Sequence, residues 1–144
     1  MAERTVRQVI EGQEPVSAPA TMSAMEAARL MKQHNIGALT VIEADKLVGV
    51  FTERDALFRV LAGGMDAIKT TLADVMTRNP QTIHPNDGFT HALQIMHDGH
   101  FRHLPVVEDG RLVGIVSVRD ALGPELEAFV YEMLRQEQIQ EVLA

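Results

Sequence analysis

Two copies of a Gly-x-x-Ser/Thr-x-x-Asp motif carry the residues best suited to bind a charged small molecule: Thr52 with Asp55, and Ser117 with Asp120. A hydroxyl residue at that position can begin a helix, which places the aspartate in the first turn, where backbone N–H groups have no helical partner. Those N–H groups and the hydroxyl can hold a phosphate, and the carboxylate can accept hydrogen bonds from two neighbouring ribose hydroxyls. Alternatively, each hydroxyl only caps a helix and each aspartate only favours its first turn.

The residues near the two motifs differ in charge. Arg102-His103 stands in the second half of the chain where Gly37-Ala38 stands in the first. A guanidinium presents a planar set of donors and an imidazole adds another near neutral pH, so the second motif is predicted to be the better phosphate site. The alternative is a solvated Arg102 and a half-buried His103 with satisfied hydrogen bonds. The arginines inside the motifs either reach phosphates or pair with nearby acids: Arg54 and Arg119.

The composition excludes several chemistries. The 144 residues include no cysteine, which excludes a disulfide scaffold, a thiolate zinc site, an iron–sulfur cluster and a cysteine nucleophile. The six histidines have no cysteine or carboxylate set to complete a tetrahedral site, so we expect no specific metal. No nucleophile stands beside a base and an orienting group, so we expect no catalysis by this chain.

The charge balance argues against some partners. The chain has 13 Lys and Arg against 20 Asp and Glu, a net charge of −7, and it lacks the basic runs with interleaved aromatic residues that favour nucleic acid. No apolar run approaches the ~20 residues of a membrane span. We therefore expect no nucleic-acid or membrane partner and a cytoplasmic location.

The motifs lie within an internal repeat with a constant offset of 65 residues. Leu39-Thr40-Val41-Ile42-Glu43 matches Leu104-Pro105-Val106-Val107-Glu108, and the segments 47–57 and 112–122 match in the same way. Each copy is predicted to be β-α-β-β-α, so the fold class is mixed α/β (α+β). The expected boundaries are residues 1–69 for the first repeat, 70–123 for the second and 124–144 for a C-terminal helix.

Local signals predict where several elements begin and end. Ser23 caps a helix that ends near Asn35, and Asn86 or Asp87 caps its counterpart, which runs to Gly99. The strand pairs turn at Ala44-Asp45 and Asp109-Gly110. Thr52 and Ser117 each cap a further helix, the first of which runs to Gly63-Gly64.

The last predicted helix starts at Pro124 and carries an apolar stripe. The stripe consists of Leu126, Phe129, Val130, Met133 and Leu134. Such a stripe must be buried, either against its own chain or against a partner chain, and we favour the partner.

The duplicated motifs resemble those of a tandem pair of cystathionine-β-synthase (CBS) domains, also called a Bateman module. The resemblance rests on Gly49-Val50-Phe51-Thr52-Glu53-Arg54-Asp55 and Gly114-Ile115-Val116-Ser117-Val118-Arg119-Asp120, on Arg102-His103-Leu104-Pro105-Val106-Val107, and on the junction Asp74-Val75-Met76-Thr77-Arg78-Asn79-Pro80. It covers residues 3 to 123. It implies two units packed sheet to sheet about a pseudo-two-fold axis, with two clefts between them.

The resemblance also implies the ligand class and the walls of each cleft. Such modules commonly bind AMP, ADP, ATP, related dinucleotides such as NAD, or S-adenosylmethionine, and we expect magnesium only together with ATP. By the family pattern, Val16 and Ile36 join Ile115 in the cleft of Asp120. Gln81 and Phe101 likewise join Val50 in the cleft of Asp55. The alternative for these apolar side chains is plain core packing.

The expected function is that of a stand-alone regulatory module. It would sense an adenine nucleotide or related adenosyl ligand, form a homodimer and modulate an effector protein that the sequence does not name. The alternative is a ligand-independent interaction scaffold that keeps the fold but has degenerate clefts. The absence of a counterpart to Arg102-His103 beside the first motif makes this alternative stronger for one cleft than for both.

Overall fold

The computed structural model describes residues 3–143, which form two similar units and a long C-terminal helix. The elements up to the end of the first unit are α1 (Val6–Val9), β1 (Ser17–Ala18), α2 (Ala24–His34), β2 (Ala38–Glu43), β3 (Lys46–Thr52) and α3 (Glu53–Asp55), which continues as a π-helix over Ala56–Leu61. The remaining elements are α4 (Leu72–Val75), β4 (Thr77–Arg78), α5 (Phe89–Gly99), β5 (His103–Glu108), β6 (Arg111–Ser117), a 3₁₀ turn over Val118–Asp120, and α6 (Gly123–Leu143).

The predicted caps and turns of the first unit are confirmed. Ser23 Oγ accepts the N–H of Glu26 at 3.1 Å, and Asn35 ends α2 with a left-handed φ of 52°. The hairpin between β2 and β3 turns at Ala44 and Asp45, whose φ values of 48° and 64° are the pair that a tight type I′ turn needs. The second hairpin turns in the same way at Asp109-Gly110.

The helix predicted after Ser117 is wrong, because only one 3₁₀ turn forms there before the chain becomes extended at Ala121. The cause is Pro124, which has no N–H to donate to the carbonyl of Asp120 four residues earlier. That carbonyl instead accepts a hydrogen bond from the guanidinium of Arg4 at 3.0 Å. A new helix, α6, then begins at Gly123.

The predicted cap of α5 is also wrong, since the N-cap is Gly88 rather than Asn86 or Asp87. The carbonyl of Asp87 is already engaged, because it accepts the N–H of Val6 at 2.8 Å. The helix that follows Thr52 does end before Gly63-Gly64, as predicted, although its last six residues, Ala56–Leu61, form a π-helix.

Two sheets support the two units. The first has the strand order β1-β2-β3-β4, with β1 parallel to β2 and the other pairs antiparallel. The second is the antiparallel pair of β5 and β6. Strands β3 and β6 lie against each other, so the two sheets meet along the strands that lead into the two Gly-x-x-Ser/Thr-x-x-Asp motifs.

Each sheet covers its own hydrophobic core. The first core is built within residues 18–76 and has Leu39 and Phe51 fully buried at its centre. The second core is built within residues 83–129 together with Val6 and Ile10, which are only 0% and 8% exposed. Helix α1, at the start of the chain, is therefore a structural part of the second unit.

The predicted stripe on α6 divides into two faces. Phe129 is 9% exposed, and its ring meets the imidazole of His97 edge-on at 5.7 Å; Met133 packs against the same second core. Leu126, Val130 and Leu134 remain exposed. The start of α6 is fixed by Glu125, whose carboxylate receives two hydrogen bonds from Arg4, at 2.9 and 2.5 Å.

Candidate functional site

A cavity of about 280 Å³ lies between the two units. It brings together seven of the predicted residues: Val16, Ile36, His103, Ile115, Ser117, Arg119 and Asp120. The first unit supplies the apolar side chains of Val16 and Ile36, and the second supplies Ile115 and the polar motif residues. The cavity thus has an apolar wall and a polar end built from different parts of the chain.

Asp120 lies at the polar end of this cavity and is half-buried. Its Oδ2 atom accepts the backbone N–H of Ser117 at 2.7 Å, so the capping interpretation of the motif is realised for one carboxylate oxygen. Within residues 3–143 the Oδ1 atom makes no hydrogen bond. One carboxylate oxygen therefore remains to accept hydrogen bonds from a bound molecule.

His103 lies beside Asp120 and is half-buried. Burial lowers the pKa of its imidazole, the nearby Glu53 carboxylate raises it, and the guanidinium groups of Arg102 and Arg119 lower it further. The net result is a lowered pKa, so the ring is neutral at pH 7 and offers one donor and one acceptor. A Cβ added at Gly37 would lie 3.3 Å from His103 Cε1, so the small residue in the first unit makes room for the ring from the second.

Arg102, the remaining residue predicted for this cleft, is exposed. Its backbone carbonyl accepts the N–H of Val118 at 3.1 Å, which ties the start of β5 to the turn that carries Asp120. Its guanidinium is close enough to affect the pKa of His103. Arg102 therefore contributes charge near the polar end of the cavity.

The first motif is closed around itself. Asp55 is only 7% exposed, its Oδ2 accepts the N–H of Thr52 at 3.0 Å, and Thr52 Oγ1 accepts the N–H of Asp55 at 3.1 Å. Its Oδ1 lies 3.4 Å from Arg59 Nε. Both carboxylate oxygens of Asp55 thus already have partners within the protein.

The other residues predicted around Asp55 have separate environments in the described part of the chain. Val50 is buried and pairs with Thr77 of β4. Gln81 is exposed, and Phe101 packs against the second core. The Arg54 guanidinium lies 5.2 Å from the ring centre of Phe58, in a cation–π contact. None of these described contacts involves Asp55.

Sequence reasoning missed Gln13, which also lines the cavity between the units. Its side-chain Nε2 donates to the carbonyl of Ile115 at 3.0 Å, and the N–H of Ile115 donates to its Oε1 at 2.7 Å. The similarity between Thr5-Val6 and Thr71-Leu72 was a signal for this segment, because it marks α1 as the counterpart of α4. It did not show which core α1 would join.

Two further features concern residues 3–143, namely groups of metal-binding side chains and membrane-spanning helices. No group of three or more His, Asp or Glu side chains there is arranged to hold a metal ion. No helix in that range combines the length and the apolar character needed to cross a bilayer.

The family model for the CBS domain matches residues 6–62 and again residues 72–124. A curated relative is the mitochondrial CBS domain-containing protein CBSX3 of Arabidopsis thaliana, which is 36% identical over 102 residues. That match covers 67% of this chain and 50% of CBSX3, so the chain spans about half the length of this relative.

Solved structures of CBS proteins have the same fold. The CBS domain protein PAE2072 of Pyrobaculum aerophilum, complexed with AMP, has a TM-score of 0.79 and 25% identity, over 89% of this chain and 99% of that one. The CBS domain pair of protein MJ0100, in complex with 5′-methylthioadenosine and S-adenosyl-L-methionine, has a TM-score of 0.74 and 34% identity, over 83% and 93%. With two matched domains, two sheets meeting at their motif strands and a cavity between them, this chain belongs to the CBS-domain family as a tandem pair.

Proposed function

We propose that this protein is a regulatory module that binds an adenosyl ligand in the cavity beside Asp120. The observation that carries the proposal is the composition of that cavity, in which Val16 and Ile36 of one unit face the Ser117–Asp120 turn of the other. An apolar slot next to a turn with a free carboxylate oxygen suits a flat base joined to a ribose. The ligand class is AMP, ADP or ATP, with NAD and S-adenosylmethionine as related candidates.

Each side chain has a role in this proposal. Asp120 Oδ1 accepts hydrogen bonds from the ribose hydroxyls. The Ser117 hydroxyl and the guanidinium of Arg119 face a phosphate, with His103 as a neutral donor and Arg102 as a more distant charge. Val16, Ile36 and Ile115 enclose the base. The adenosyl ligands of PAE2072 and MJ0100 support the ligand class.

We propose the first motif as the weaker of two sites. The Oδ2 atoms of Asp55 and Asp120 cap their own motifs in the same way, but Asp55 Oδ1 would also have to release Arg59 before a ligand could use it. Breaking a contact within the protein costs free energy, so a ligand would bind at this site with a less favourable binding free energy.

The proposal also includes regulation through assembly. The exposed residues Leu126, Val130 and Leu134 follow one another at intervals of one helical turn, and a second copy of the chain would bury them in a homodimer. Ligand binding between the units would then be read by an effector protein, with no catalysis by this chain.

A ligand-independent scaffold is the second candidate. It is favoured by Asp120 Oδ2 and by Gln13, which already satisfy backbone groups of β6 without any ligand. The exposed α6 face would serve such a scaffold equally well.

Thermal unfolding with and without ligand separates the two candidates. AMP, ATP, NAD and S-adenosylmethionine are added singly to the full chain, and a ligand at 100 times its Kd adds about 2.7 kcal/mol to the free energy of unfolding. We expect a raised midpoint with at least one of them and a smaller rise in Asp120→Ala. An unchanged midpoint with all four ligands would favour the scaffold.

A further inference from the structure

One side-chain carboxamide is hydrogen-bonded to the backbone of the cavity wall. Gln13 donates from Nε2 to the carbonyl of Ile115 and accepts the N–H of the same residue at Oε1, at 3.0 and 2.7 Å. Both residues line the cavity, and Gln13 is exposed at its edge. The side chain thus presents a donor beside an acceptor to the N–H and carbonyl of a single residue of β6.

The equivalent residue of the first unit has a different partner. Val50 stands 65 residues before Ile115, and it pairs through the backbone with Thr77 of β4. A strand pairing is held by its neighbours on the same strand, whereas a side-chain amide can leave by rotating about its own bonds. The backbone of Ile115 in the second unit therefore has a side-chain partner that can be exchanged, whereas the backbone of Val50 in the first unit is paired with a strand.

The chain around Gln13 has contacts of its own that do not involve the Gln13 side chain. The backbone N–H of Gln13 donates to the carbonyl of Ile10 at 2.9 Å, and Ile10 is buried in the second core. Ile10 also lies close to β6, because a Cβ added at Gly114 would come within 2.8 Å of Ile10 Cδ1. Rotation of the Gln13 side chain thus uncovers Ile115 without detaching α1.

The edge of an adenine base has the same pattern as this carboxamide. Its exocyclic amino group is a donor, and the ring nitrogen beside it is an acceptor. We infer that the N–H and carbonyl of Ile115 recognise the base, and that Gln13 occupies this pair until an adenine edge displaces it. This inference rests on the proposed function, and it makes Gln13 an internal competitor of the ligand.

Calorimetry with AMP on the full chain tests the inference through Gln13→Ala. The variant leaves Ile115 bonded only to water, so AMP no longer has to displace a protein group. We expect AMP to bind the variant about three- to tenfold more tightly than wild type, the range for a net gain of one hydrogen bond. Gln33→Ala, which removes an exposed glutamine of α2, is the matched control and should leave the affinity unchanged.

A second probe tests the donor half of the pair. The 5′-monophosphate of purine riboside lacks the amino group, so it cannot donate to the Ile115 carbonyl. We expect it to bind wild type about tenfold more weakly than AMP. NMR on wild type adds a direct readout, because saturation with AMP should shift the side-chain amide signals of Gln13 and the backbone amide signal of Ile115.

The outcomes of these experiments distinguish a failure of the inference from a failure of the proposed function. An AMP affinity that is unchanged or weaker in Gln13→Ala, or Gln13 and Ile115 signals that stay in place at saturation, would overturn the inference while the proposed function stands. Absence of AMP binding in both wild type and variant would overturn the proposed function, and the inference with it. If Gln13→Ala melts early, the wild-type NMR titration still decides.

Discussion

Arg59 Nε lies 3.4 Å from Asp55 Oδ1, one helical turn after it, whereas the residue one turn after Asp120 is Pro124. The same guanidinium also donates to the carbonyl of Met76 at 3.2 Å, just beyond α4. Asp55 is therefore part of a structural contact between the π-helix and α4. Proline at the matching position removes that partner from Asp120 and leaves its Oδ1 for a ligand.

We predict opposite consequences for the two aspartates. Asp120→Ala should weaken AMP binding about ten- to hundredfold, because a hydrogen bond to a charged group contributes about 1.5–3 kcal/mol. Asp55→Ala should leave AMP affinity nearly unchanged and instead lower the free energy of unfolding by about 1–3 kcal/mol, because it removes a buried carboxylate that caps a helix and pairs with Arg59. Calorimetry and urea unfolding on both variants measure the two effects. Equal losses of affinity, or a larger loss for Asp55→Ala, would contradict the assignment.

The lowered pKa of His103 predicts a pH dependence of stability. The unfolded chain takes up a proton at about the ordinary value of 6.5, while the folded chain resists it because burial lowers the pKa of the ring. Stability should therefore fall as the pH drops below 6.5 and be recovered as it rises again. Urea unfolding of wild type and His103→Asn across this range measures it.

The His103→Asn variant should show a smaller loss of stability on acidification than wild type. The control is His91→Asn, which changes an exposed histidine of α5 and should retain the wild-type profile. A wild-type profile in His103→Asn would contradict the assignment of the acid sensitivity to His103.

The two faces of α6 should respond differently to substitution. Val130 and Leu134 are 48% and 54% exposed, so Val130→Glu with Leu134→Glu should keep the fold and give a monomer by light scattering. Phe129→Ala should instead lower the free energy of unfolding by about 3 kcal/mol, because it opens a cavity in the second core. A double variant that remains dimeric would place the interface elsewhere, and one that unfolds would make this face part of the core.

Magnesium is predicted to bind only with a triphosphate. Residues 3–143 hold no cluster of acidic and histidine side chains able to bind the ion, so any divalent cation would be coordinated by the phosphates. Titration of magnesium into the protein alone should release no measurable heat, while ATP binding should depend on the ion. Tight binding of magnesium to the protein without nucleotide would contradict this.

The order of strands and helices could be predicted from the sequence because each local motif occurs twice, once in each repeat. The motif after β3 and the motif after β6 each follow an apolar strand, and both hairpin turns lie at the same place in the repeat. Propensity alone did not reveal the break at Ala121, because one proline and a distant Arg4 decide it together. Local signals predict an element best when its hydrogen bonds are local.

The candidate site was predictable only in part, for the same reason. Val16 and Ile36 came from the family pattern, and the structure places both in the cavity with Asp120. Gln13 was missed because its partner is a backbone unit 102 residues away, and no side-chain pattern marks a backbone group. The second partner of the Asp55 carboxylate is Arg59, and the two side chains come close only because a helix places them one turn apart.

The position of α1 has a consequence for the order of folding during synthesis. The first core is complete once Met76 has been made, so the first unit can fold while the rest of the chain is still missing. Val6 and Ile10 leave the ribosome earlier but must wait, with their apolar side chains in water, until Leu104 and Val116 arrive. Val6 and Ile10 then pack into the second core, which forms last. The packing joins α1 to the second unit, and the folded first unit lies within the loop of chain that this contact closes.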